Sequence, residues 1–329
     1  QLYPDVSTYF HSNVETRCNQ LKDYTSLWAY TLTTHPIVVL VDVASYMIQP
    51  VDELYTAMLL SKEDGMEARK QIAFHWKQMG QPNTTLADYF IARTADFPDQ
   101  IDAFFTRDYT ITSPQQGRDQ RTGIMEGFIV IRPNVTHFDE LTNMIRQGGG
   151  WTSNQGGWYD QGIGGWTGAM CTTGLLSAFY TLFHNDSFVE LNRCVFNCVA
   201  DSYKTRMTAT GNGLITSKVE ECRDGRANCH DCRVQSLTDA KTVNMNLCRQ
   251  PWTCFYLNEE LKVHTLCRAI IHEWFQLRRI IEIEWERTYQ KDYTPSVANG
   301  TIGTAYFMGY CSAYGSEGYI PMNLPPLPS

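Results

Sequence analysis

The residues Ile37-Val38-Val39-Leu40-Val41 form an unbroken apolar run that stops at Asp42. A strand with one wet face alternates apolar and polar residues. A continuous run therefore predicts a strand covered on both faces, which requires helices above and below its sheet. Gly127-Phe128-Ile129-Val130-Ile131 repeats the pattern and is stopped by Arg132-Pro133, which predicts a second core strand. Leu21, Tyr24, Leu27, Trp28 and Leu32 fit one face of an amphipathic helix, and Val51 to Leu60 reads as another. Glu63 to Thr94 reads as a polar helical excursion and Phe138 to Arg146 as a short helix. Alternating helix and buried-strand patterns predict an α/β class in which both strands belong to one mostly parallel sheet.

Beyond residue 148 the patterning changes. Residues 148–168 are dense in glycine and tryptophan and predict a loop system. Residues 194–267 are rich in cysteine and turns, and Leu266, Ile270, Trp274, Leu277, Ile281 and Trp285 then mark one long amphipathic helix. The expected organisation is a core over 1–193, a cysteine-rich segment over 194–267, and a long helix with an extended tail over 268–329.

Net charge and cysteine usage narrow the class. A net charge of −8 argues against nucleic acid, whose phosphates need a basic face. Apolar stretches such as Ile37 to Val43 are strand-sized, so no membrane span is expected. There are 11 cysteines, an odd number that leaves at least one thiol free or paired to another chain. Four sequons begin at Asn83, Asn134, Asn185 and Asn299 and are expected to carry N-glycans. Sequons and dense cysteines together predict a secreted or cell-surface protein, with the Golgi or ER lumen as the alternative. No leader is read at Gln1. Cys229-His230-Asp231-Cys232 has a spacing compatible with zinc, but in an oxidising compartment it reads as disulfide chemistry.

Four blocks, in order, resemble glycosyltransferase family 8, the glycogenin-like enzymes. Leu21 to Tyr55 resembles a helix, a strand ending in Asp-x-Asp, and a following Asn-Ile-Asp-Glu-Leu-Phe stretch. Gly127 to Pro133 is similar to the strand that carries Phe-Asn-Ser-Gly. Gly156-Gly157-Trp158-Tyr159-Asp160-Gln161-Gly162 is similar to the Gly-Asp-Gln-Gly block. Asn244-Met245-Asn246-Leu247-Cys248-Arg249-Gln250-Pro251-Trp252 is similar to a block that opens on histidine and ends Lys-Pro-Trp. The resemblance covers about residues 15 to 255.

It implies a GT-A-type, Rossmann-like core with a disulfide-rich C-terminal insertion. It also implies a first βαβ unit ahead of residue 20, so part of the N-terminal half is expected to be absent or supplied by another chain. Such enzymes hold a divalent cation and a lysine against the leaving diphosphate. Here Asp42 remains at the first metal position, but Ala44 and Asn244 replace the other two ligands. Gln250 stands where the lysine would be, and Met125 where the asparagine would be. No Mn²⁺ or UDP-sugar is therefore expected to bind. Asp160 and Gln161 match positions that touch sugar in the family, and are carried over as remnants of a catalytic site.

Each residue has a plainer role open to it. Asp42 can cap a turn or helix. Trp151, Trp158 and Trp166 can stack on a pyranose or fill space left by glycines; Trp158 and Trp252 are the expected substrate contacts. The expectation for function is a catalytically degenerate glycosyltransferase-like protein. Its role would be structural or carbohydrate-interacting, beside other protein chains of an extracellular or luminal glycoprotein assembly. An active, divergent UDP-sugar-dependent transferase and a lectin-like module are the alternatives.

Overall fold

The computed structural model describes residues 20–77, 97–108, 122–146, 151–152, 156–163, 169–200, 204–205, 221–222, 231–246, 248, 251 and 265–289. Ten strands are seen there: β1 (Val38–Val41), β2 (Ser45–Met47), β3 (Ala103–Arg107), β4 (Ile124–Ile131), β5 (Trp151–Thr152), β6 (Gly157–Trp158), β7 (Phe188–Glu190), β8 (Lys204–Thr205), β9 (Glu221–Cys222) and β10 (Thr242–Asn244). The α-helices are α1 (Asp52–Leu59), α2 (Met66–Lys77), α3 (Val135–Arg146), α4 (Thr172–Ala178) and α5 (Thr265–Tyr289).

The central sheet has the order β1-β4-β3-β7. β4 is antiparallel to both of its neighbours, and only β3 with β7 is parallel. The expectation of a mostly parallel sheet is therefore corrected: the sheet is mixed. Apolar continuity reports that both faces of a strand are covered, and it carries nothing about the direction in which the chain returns. β3 and β7 have no counterpart among the sequence-based expectations.

Both faces are covered. Ala103, Phe105, Ile129 and Ile131 pack with α3, α4 and the helical segment Gln20–Thr31, while Phe104, Phe128, Val130 and Val189 pack with α1 and α2. The period-two alternation of these residues along β3 and β4 sends successive side chains into two different layers. Arg69 of α2, itself fully buried, donates to the carbonyls of Pro98 (2.6 Å) and Asp99 (3.0 Å) and so ties that helical layer to the segment entering β3.

The segment Gln20–Thr31 is a 3-10 helix, and this changes which residues it buries. With three residues per turn, positions three apart eclipse. Tyr24, Leu27 and Tyr30 accordingly go inside at 1%, 0% and 1% exposure, whereas Trp28 and Leu32 stay about half exposed. The expected helical face that included Trp28 and Leu32 assumed a period of 3.6. Tyr24 donates to the Met170 carbonyl, and the Tyr30 and Tyr180 hydroxyls are 2.8 Å apart, so the buried phenols find partners.

The cysteine-rich segment is stapled by Cys194–Cys232 and Cys248–Cys267, and Cys171 is also disulfide-bonded. Both staples share one apolar cluster with Val243, Leu266, Ile270 and Ile271, which seats the start of α5. Cys232 is thus a disulfide partner of Cys194, in keeping with the reading of that stretch as disulfide chemistry. α5 runs unbroken through residue 268. Among the described residues no helix is long and apolar enough to cross a membrane. The disulfides are compatible with a secreted or luminal setting.

Candidate functional site

In an open α/β sheet, ligands gather beyond the carboxyl ends of the parallel strands. Here β1, β3 and β7 all end on the same side, where β4 begins: Val41 pairs with Phe128, Arg107 with Ile124, and Phe105 with Glu190. Polar side chains buried at this end come from stretches far apart in sequence.

Asp42 opens a tight turn. Its amide donates to the Gly127 carbonyl at 3.1 Å, and its own carbonyl accepts from the Ser45 amide at 2.8 Å. The Asp42 side chain is exposed, and the turn is closed by its main chain. β2 then pairs antiparallel with β10, setting Ser45 opposite Asn244. The Ala44 carbonyl accepts from the Met245 amide at 2.8 Å. The Asp42 turn and Asn244 thus lie side by side.

Asn244 is fully buried, and both ends of its amide are engaged. Its Nδ2 donates to Ser45 Oγ at 2.9 Å, and its Oδ1 accepts from the Asn246 amide at 2.9 Å. Beside it lies Asn197, also fully buried, with a left-handed φ of 55°. The Asn197 amide donates to Thr242 Oγ1, and its Nδ2 donates to Thr106 Oγ1 at 3.1 Å. Arg107 completes this end of the sheet. It is almost fully buried, and it donates to Glu190 Oε2 at 3.2 Å and to the Thr122 carbonyl at 2.8 Å. The nearby thiol of Cys198 is pushed up to about 12 by burial, which makes it a poor nucleophile.

The residues do not fit a divalent metal. Such an ion takes hard oxygen ligands at roughly 2.0–2.6 Å. Ala44 has only a methyl group, and the Asn244 carbonyl oxygen already serves the Asn246 amide. Among the described residues, no group of three His, Cys, Asp or Glu side chains could hold an ion.

The second block forms a separate feature. Tyr159 and Asp160 both take left-handed φ values, 55° and 56°, in a turn closed by the Gln161 amide on the Trp158 carbonyl at 3.1 Å. Asp160 and Gln161 are exposed at its tip. Two consecutive non-glycine residues in this region are uncommon and strained. Trp158 supports the turn from below. It is 1% exposed, and its indole nitrogen donates to the Ala169 carbonyl at 2.9 Å. Trp158 is therefore a core side chain, and its expected role as a substrate contact is corrected. A hydrogen-bonded indole packed into the body has no face to offer a sugar. Trp166, Trp252 and Gln250 lie outside the described residues.

Comparison of the chain with protein-family models, curated proteins and solved structures finds no match.

Of the sequons, Asn185 is exposed in the turn before β7. Asn134 is half-buried and starts α3, its Oδ1 accepting from the Thr136 amide at 2.8 Å. Asn83 and Asn299 lie outside the described residues. Sequence reasoning missed Asn197, Thr106 and Ser45 altogether. One local signal was present: Gly127 inside an apolar strand, where glycine marks a close approach of other groups.

Proposed function

We propose that this chain is a catalytically degenerate glycosyltransferase-like protein with a GT-A-type core. Its role is structural or carbohydrate-interacting within an extracellular or luminal glycoprotein assembly. The observation that carries this reading is the meeting of Ser45 and Asn244, 199 residues apart, at the carboxyl end of the sheet. The resemblance implies that the Asp42 turn and residue 244 share a metal centre. Their proximity supports that ancestry, and the committed Asn244 amide beside Ala44 supports the loss of the chemistry.

The carbohydrate side of the proposal rests on the strained turn at Tyr159 and Asp160. Backbone strain concentrates where a side chain must be held in place for use. The Tyr159 ring packs edge-on to Phe183 at 5.3 Å, and Phe183 is 53% exposed, which sets an aromatic surface beside Asp160 and Gln161. For the assembly side, β1 is an edge of the central sheet among the described residues, yet its sequence is that of an internal strand. Trp28, Leu32, Val41, Val43 and Met47 are all exposed in its neighbourhood, Val43 at 81%. Apolar edges of this kind are usually covered by another chain or segment.

Calorimetry of the purified chain with Mn²⁺ and UDP-glucose, alongside a glycan array, tests the reading. No heat with the nucleotide sugar is expected. Saturable binding with transfer of glucose would make it an active enzyme. Array binding lost on Asp160→Ala would support the carbohydrate-interacting role over a purely structural one.

A further inference from the structure

The buried amides at the sheet end do more than lack a metal. We propose that Asn197 and Asn244 form an amide clasp that occupies the volume a divalent ion would need and ties the cysteine-rich segment to the sheet in its place. This rests on the proposed ancestry only for where the ion would sit; the clasp itself stands on geometry.

Gly127 shows how tightly the space is filled. A Cβ on this residue would lie 2.2 Å from Asn244 Nδ2, 2.3 Å from Asn197 Oδ1 and 2.8 Å from Ser45 Oγ. Three polar side chains therefore rest on the bare backbone of β4, and a Cβ there would overlap all three. Carbon–oxygen contacts below about 3 Å are repulsive, so only glycine allows the closure. The clasp, built from the stretch at Asn197 and from β10, reaches three strands. Asn197 reaches Thr106 on β3 and faces β4, while Asn244 reaches Ser45 on β2. The main chain continues the tie through Asn244 N to the Cys198 carbonyl at 2.9 Å and Cys198 N to the Thr242 carbonyl at 2.8 Å.

Charge explains why amides suit this place. A cluster of carboxylates buried without its cation suffers mutual repulsion and desolvation, whereas neutral amides need only hydrogen bonds. The arrangement leaves one unmet demand. Among the described residues, Asn197 Oδ1 is buried with no hydrogen-bond donor and faces the Gly127 backbone. An unpaired buried acceptor loses its hydration without replacement, which is destabilising. It is tolerated because the same side chain anchors the segment through Nδ2 and its main-chain amide.

Two variants test the clasp. Ala44→Asp restores a second carboxylate beside Asp42 and leaves both asparagines in place. It is expected to bind no Mn²⁺ in calorimetry, and its folded yield on refolding is expected to be the same with and without Mn²⁺. Thr106→Val keeps the shape of the side chain and removes the nearer acceptor of Asn197 Nδ2, leaving the Met125 carbonyl at 3.4 Å. It is expected to lower Tm by about 2–4 °C and to speed hydrogen exchange at the Asn244 and Met245 amides at least tenfold, with exchange in the centre of β4 unchanged. Mn²⁺ binding or a Mn²⁺-dependent yield for Ala44→Asp overturns the proposal, as does unchanged exchange in Thr106→Val. Mn²⁺ and UDP-glucose binding by the unaltered chain would instead sink the proposed function, so the two failures are separable.

Discussion

At the scale of single residues, two histidines, His137 buried and His75 half-buried, link this fold to pH. His137 on α3 is 5% exposed; its ring lies against Phe179, His184 and Tyr30, with Asp102 and Glu140 near enough to act on its charge. Burial holds it below the usual histidine range. The neighbouring His184 lowers it further, and Asp102 and Glu140 oppose this. His75 on α2 is lowered by burial too, with Glu53 opposing and Lys241 assisting. A depressed folded pKa means that the unfolded chain binds more protons over the interval between the two values. The stability from each neutral histidine is thus complete above the unfolded value of about 6.5 and is lost as pH falls through the lower folded value. Melting curves from pH 7.5 down to pH 5 are expected to show a falling Tm, and His137→Asn is expected to flatten part of the slope. A Tm that does not change over this range would contradict the assignment. Nothing in the local sequence around His137 announces this; its neighbours come from three other elements.

At the scale of elements, the staples carry the cysteine-rich segment. Cys194 and Cys232 are 38 residues apart, and Cys248 and Cys267 are 19 apart. Closing loops of this size removes unfolded-state entropy equivalent to roughly 3–4 kcal/mol each. Replacing Cys194 and Cys232 together by alanine is expected to destabilise the protein by about 2–4 kcal/mol in urea titration. A change under about 0.5 kcal/mol would mean that the apolar cluster seats α5 unaided. The sequence showed that the region was stapled, because cysteine density is compositional. Which thiols pair depended on how β10 and α5 approach each other.

At the scale of the whole molecule, the edge of β1, unpaired among the described residues, is the feature with a consequence for assembly. Val38–Val41 bears no charge, bulge or proline to discourage pairing, and exposed apolar side chains flank it. Native material analysed by size-exclusion chromatography with light scattering is expected to exceed the 37.6 kDa of one chain. Val43→Lys with Met47→Lys is expected to shift it towards the single-chain mass. A clean peak at that mass for the unaltered protein would remove the support for an assembly.

What the sequence determined by itself was local. Continuous apolar runs at Ile37–Val41 and Phe128–Ile131 specify covered strands, and spacing three and four specifies the helix that became Thr265–Tyr289. Those patterns depend on neighbours a few residues away, so they can be read along the chain. Strand direction, the burial of Trp158 and the pairing of Asn244 with Ser45 were decided only by the tertiary structure. Each depends on residues far along the chain, and periodicity holds no record of which distant group arrives. The resemblance implies that Ala44 and Asn244 stand at lost ligand positions. It took the fold to bring Asn197 over Gly127, because close packing rewards the shape of a whole neighbourhood and not any one residue within it.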